Sequence, residues 1–102
     1  MATGKIKKLG LEVCKYSIAN QSIPSGGKLT VDVSSAVPDG KNIVAFCGVQ
    51  IGAYALPYLG MIDQSKATYV ETATPATKKV VIKDNGTTGW SGYAVTVTFV
   101  VE

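Results

Sequence analysis

Apolar and polar positions alternate with a period of two along most of this chain. In Leu29-Thr30-Val31-Asp32-Val33 the apolar side chains share one face and Thr30 and Asp32 the other. From Tyr93 to Val101 the larger residues Tyr93, Val95, Val97, Phe99 and Val101 share a face opposite Ala94, Thr96 and Thr98. Successive side chains of a strand point to opposite faces, so this spacing predicts half-buried strands. No window carries apolar residues at helical spacing over three turns, which predicts little or no helix.

Turn residues punctuate these runs about every ten positions, the spacing of an all-β domain. They are Pro24-Ser25-Gly26-Gly27, Pro38-Asp39-Gly40, Gly52, Gly60, Thr74-Pro75 and the stretch from Asn85-Gly86 to Gly92. The pattern predicts an all-β fold, an antiparallel β-sandwich or jelly-roll of about seven strands. Residues 1–10 read as a basic N-terminal arm or leading strand, and 11–102 as a single sandwich domain.

Three segments depart from clean alternation. In Leu11 to Ile23, Leu11 and Val13 share one parity while Cys14, Tyr16 and Ile18 share the other, so a bulge is expected near Val13-Cys14. Asn42 to Ile51 is apolar on both faces, with Ile43, Ala45, Cys47, Val49 and Ile51 on one side and Val44 and Phe46 on the other. That is the pattern of a central strand, or of one covered by a neighbouring subunit. Ala53 to Ile62 is apolar and aromatic but holds Pro57, which predicts an edge strand or ordered loop. Thr68-Tyr69-Val70-Glu71 reads as a short strand. Lys79–Lys83 and Tyr93–Val101 read as the arms of a long hairpin whose loop, Asp84–Gly92, holds Trp90.

Composition narrows the functional classes. The chain has 102 residues, enough for one domain with one core, and 46% of them are hydrophobic. Only 17% are charged, below the usual share of about 25%. The surface is thus expected to be covered in part by partner chains. The net charge of +3 is small, and Lys5, Lys7 and Lys8 read as a solvated face or arm. No dense basic patch predicts nucleic-acid binding. No apolar leader follows Met1 and no run predicts a membrane span, so folding in a cytoplasm is expected. In that compartment Cys14 and Cys47 are expected to be free thiols.

The chain lacks histidine, the commonest general base and metal ligand. Two cysteines without it make no zinc site, and both fall on apolar parities, unlike activated thiolates. Glu12, Asp32, Asp39, Asp63, Glu71, Asp84 and Glu102 are not paired by spacing as in a glycosidase. Asp39 and Asp84 read as turn residues. Gly86-Thr87-Thr88-Gly89 lacks the Lys-Ser/Thr of a phosphate loop. No enzyme, cofactor or metal is therefore expected.

The aromatic residues are the remaining lead. Trp90, with Asn85 beside it, and Tyr54, Tyr58 and Tyr69 are the candidate ligand or interface residues. Rings on loops stack on sugars while amides and hydroxyls bond the sugar hydroxyl groups. Packing in the core or between subunits is the commoner role for such rings.

Pro24-Ser25-Gly26-Gly27-Lys28-Leu29-Thr30-Val31-Asp32-Val33 resembles the opening of small domains in bacteriophage tail-fibre, baseplate and virion appendage proteins. Val37-Pro38-Asp39-Gly40-Lys41-Asn42-Ile43-Val44-Ala45 is similar to their next turn and strand. Val80-Val81-Ile82-Lys83-Asp84-Asn85-Gly86 and Tyr93 to Val101 resemble their last two strands. The resemblance spans about residues 20–102 and rests on strand-and-turn pattern. It implies a non-enzymatic virion structural protein, folded in the host cytoplasm and assembled as a homo-oligomer, with a trimer favoured. Its implied partners are other virion proteins and host-surface carbohydrate. Tail-fibre heads end longer fibrous chains, so a small separate virion protein or an excised domain is expected. The alternative is a monomeric carbohydrate-binding module of non-viral origin.

Overall fold

A computed structural model describes residues 10–56, 68–86 and 89–102. The described residues form seven strands: β1 (Glu12–Ile23), β2 (Lys28–Asp32), β3 (Ile43–Ile51), β4 (Tyr54–Ala55), β5 (Thr68–Thr74), β6 (Lys79–Asp84) and β7 (Trp90–Val101). A single 3-10 turn, Ser34–Ala36, follows β2. Two antiparallel sheets pack as a sandwich, one in the order β1-β7-β3-β4 and the other β2-β6-β5. The expected all-β sandwich is observed. The proposed arm, with Lys5, Lys7 and Lys8, lies outside the described residues except for Gly10.

The alternating residues line the interior. Val95, Val97, Phe99 and Val101 of β7 are buried, as are Val31 and Val33 at β2 and Val80 and Ile82 of β6. Cross-strand partners share a face. Cys14, Tyr16 and Ile18 therefore face inward opposite Phe99, Val97 and Val95. Phe46 meets Phe99 with ring centroids 6.1 Å apart. Burying about a dozen such side chains is the main drive for closing the two sheets, at roughly 1.5–3 kcal/mol each before entropy.

Four sequence expectations are corrected. First, β1 runs in register from Glu12 to Ile18, and its irregularities fall between Ile18 and Ile23, where Asn20 has φ 56°. Val13 simply points outward and is 46% exposed. Second, β3 is not apolar on both faces in one continuous phase. Bulges between Ile43 and Ala45 and between Phe46 and Gly48 shift its parity twice. Ile43, Phe46, Val49 and Ile51 then face the core, and Ala45 and Cys47 are exposed. Cys47 therefore does not share the interior with Cys14, and both thiols are free. Third, β5 extends three residues past Glu71 to Thr74.

The fourth correction concerns the end of the chain. β6 pairs with β2 and β5, whereas β7 pairs with β1 and β3. The two strands are not a hairpin. The segment between them crosses from one sheet to the other. Trp90 is not in that loop but is the first residue of β7, opposite Ile23 of β1.

The β1–β2 turn makes the same crossing at the same end, and the two crossings are bonded together. The Asp84 N–H donates to the Gly27 carbonyl at 3.0 Å. Lys83 Nζ donates to the Gly26 carbonyl at 3.0 Å, and Ser25 Oγ to the Gly86 carbonyl. Gly89, at φ +77°, lies against the backbone of Ile23, Pro24 and Ser25.

A candidate aromatic site at the crossover end

The candidate site starts from a parity. Val80, Ile82 and Asp84 share the inner face of β6, so the period that buries two aliphatic residues also buries a carboxyl group. Asp84 is 1% exposed. Its register partner on β5 is Thr68. The Thr68 hydroxyl donates to Asp84 Oδ1 at 2.9 Å, and the Gly86 N–H donates to the same oxygen at 3.2 Å. The Gly86 bond is the local turn bond expected of Asp84, but its burial was not anticipated. Among the described residues, Asp84 Oδ2 is buried and has no hydrogen-bond partner. An unsatisfied buried oxygen is costly and uncommon.

Trp90 completes this chain from the opposite sheet. Its Nε1–H donates to Thr68 Oγ1 at 2.7 Å. The indole is half-buried against the core. Its ring meets Tyr93 edge-on at 5.0 Å and Tyr54 at 5.7 Å with a 57° tilt. Both geometries are favourable for aromatic pairs. Tyr54 is 62% exposed and Tyr93 41%. A central, tethered indole thus stands between two tyrosines open to solvent.

The other candidates divide. Tyr54 and Trp90 are brought into contact. Tyr69 is buried, 5% exposed, and its hydroxyl receives the Asn85 amide N–H at 3.3 Å. Asn85 itself is exposed. Tyr58 lies outside the described residues, as do Pro57, Thr87 and Thr88. The alternation of β7 groups Tyr93 with Val95, Val97, Phe99 and Val101. Tyr93 lies on that parity, but at the open end of the sandwich. The signal for Asp84 was present in the spacing of Val80, Ile82 and Asp84, and the turn-forming Asp-Asn-Gly sequence masked it.

Three of the described segments that meet here are uncharged. Asn20–Ile23, Gln50–Leu56 and Gly89–Ala94 hold no acidic or basic residue. They carry Asn20, Gln21, Ser22, Gln50 and Ser91 instead. Gln21 is the register partner of Tyr93. Among the described residues, no group of three or more potential ligands is placed to hold a metal ion. No described helix is long and apolar enough to cross a membrane.

Compared with known protein families, curated proteins and solved structures, the chain gives no match.

Proposed function

We propose that this chain is a non-enzymatic structural protein of a bacteriophage virion, of the tail-fibre, appendage or decoration type. It works as a homo-oligomer, with a trimer favoured, and contacts host-surface glycans through the aromatic end of the sandwich. The reading joins the family resemblance of residues 20–102 to one structural observation. The outward face of the four-stranded sheet carries apolar side chains in lateral register. Val13 pairs with Val100, and Val100 with Ala45. Val13 is 46% and the neighbouring Val44 50% exposed. Apolar side chains clustered on an outer sheet face favour association.

Mass in solution tests the reading. An oligomer at micromolar concentration is expected, and Val13→Lys with Val44→Lys should shift it toward the monomer while circular dichroism shows the strands retained. A strict monomer at that concentration would overturn the virion reading. The second reading, a monomeric carbohydrate-binding module, is favoured by the exposure of Tyr54 and Tyr93 and would survive that result.

A further inference from the structure

We infer that the Tyr54–Trp90–Tyr93 corner takes an uncharged saccharide ring, stacked on Tyr54 and Tyr93, with Trp90 acting as a positioning residue. This rests on the glycan-contact part of the function proposed above and narrows it to a ligand class and to named roles.

Three observations carry it. The two exposed rings flank the indole at 5.7 and 5.0 Å. They are tilted to it by 57° and 83°, so the three rings do not make one flat patch. The C–H faces of a pyranose are apolar while its rim bears hydroxyl groups. Exposed aromatic faces complement the first, and the phenol hydroxyls of Tyr54 and Tyr93 can bond the second. The second observation is charge. Asn20–Ile23, Gln50–Leu56 and Gly89–Ala94 hold only neutral side chains. These three segments supply no positive charge to a carboxylated or sulfated sugar or to a nucleic-acid phosphate, and Lys83 at the neighbouring crossing has its Nζ on the Gly26 carbonyl.

The third observation is the tether. The indole N–H is used internally, on Thr68. Thr68 is in turn held by buried Asp84. A hydroxyl that donates to a carboxyl oxygen becomes a better acceptor, so the chain is self-reinforcing. It anchors a ring of the four-stranded sheet to the three-stranded one. With Trp90 fixed, Tyr54 and Tyr93 lose less freedom on binding, and pre-organised rings bind more tightly than mobile ones.

The test is an array of neutral gluco- and N-acetylhexosamine oligosaccharides beside sialylated and sulfated ones, probed with the full chain. Neutral glycans are expected to bind, and the charged series no better. Tyr54→Ala and Tyr93→Ala should each weaken binding about tenfold or more, as central aromatic contacts do. Thr68→Val should weaken binding and shift the emission of Trp90, the chain's one tryptophan. Thr68→Ser should restore both. Circular dichroism confirms that each variant is folded. Binding to charged glycans alone, binding unchanged in the Tyr54→Ala/Tyr93→Ala double variant, or no glycan bound by the folded wild type would each overturn the inference. An oligomeric protein that binds no glycan removes this inference and leaves the virion reading. A monomer that binds neutral glycans does the reverse.

Discussion

Trp90 of one sheet donates its indole N–H to the Thr68 hydroxyl of the other at 2.7 Å. The bond closes the end of the sandwich where both crossings run, and Thr68 passes the interaction on to buried Asp84. Two polar groups, one on each sheet, therefore depend on one hydroxyl.

Thr68→Val keeps the side chain's shape and removes that hydroxyl. It leaves the indole N–H without its acceptor and takes the Thr68 donor from Asp84. Stability should fall by about 1–3 kcal/mol, the usual cost of leaving a buried partner unsatisfied. Urea denaturation measures this, and Thr68→Ser should recover most of the loss. A valine variant as stable as the wild type would mean that the bond contributes nothing.

Gly89 should resist substitution more than Gly40, although both have positive φ. A Cβ at Gly89 would sit 2.5 Å from the Ile23 carbonyl oxygen and 2.9 Å from the Ser25 nitrogen. A Cβ at Gly40 would meet nothing within 4 Å. Gly40→Ala should therefore cost only the left-handed backbone penalty of about 1–2 kcal/mol. Gly89→Ala adds a backbone clash where the two crossings touch, so its loss should be the larger in thermal unfolding.

The thiols should react in two phases. Cys47 is exposed on a bulge of β3, while Cys14 is half-buried and faces inward. Burial pushes the Cys14 thiol up from its ordinary value, and the nearby charge of Glu12 adds to this. Titration with an aromatic disulfide at pH 8 should give one fast and one slow equivalent. The fast one should vanish in Cys47→Ser.

Asp32 gives a pH dependence. Hydrogen bonds from Ser34 hold its carboxyl below the ordinary 3.8, with Lys79 and Lys78 adding to the effect. Its Oδ1 accepts the Ser34 N–H at 2.9 Å. Because the folded value is depressed, the charged form favours folding above the unfolded value. That contribution disappears as pH falls through the folded value. The gap in melting temperature between wild type and Asp32→Asn should be full at pH 6. It should narrow below about pH 4 and close at lower pH. A gap that stays constant down to pH 2 would contradict this.

Period-two spacing identified six of the seven strands close to their observed bounds, because a strand's side-chain faces follow from its own sequence. The inward set of β7 and the pair Val31 and Val33 were legible for that reason. In β1 the same spacing misplaced the bulge, and in β3 it gave no sign of the two that are there. A bulge is set by how a strand meets its neighbour, and neither strand encodes its partner locally. The candidate site was half legible. The aromatic residues could be named, but their grouping could not: Tyr54 and Trp90 lie 36 positions apart, and Tyr69 proved to be an interior residue.

By itself the sequence determined the strands, their turns and most of the residues that face inward. These are local properties, decided by alternation and by Gly, Pro and Asn at turns. Only the tertiary structure decided that β6 and β7 belong to different sheets. Pairing is a long-range choice made by which inward faces can be buried together, and adjacency along the chain does not settle it. That choice turned an apparent hairpin loop into a crossing. It placed Asp84 inside and seated Trp90 at the start of a strand, tied to Thr68 of the opposite sheet.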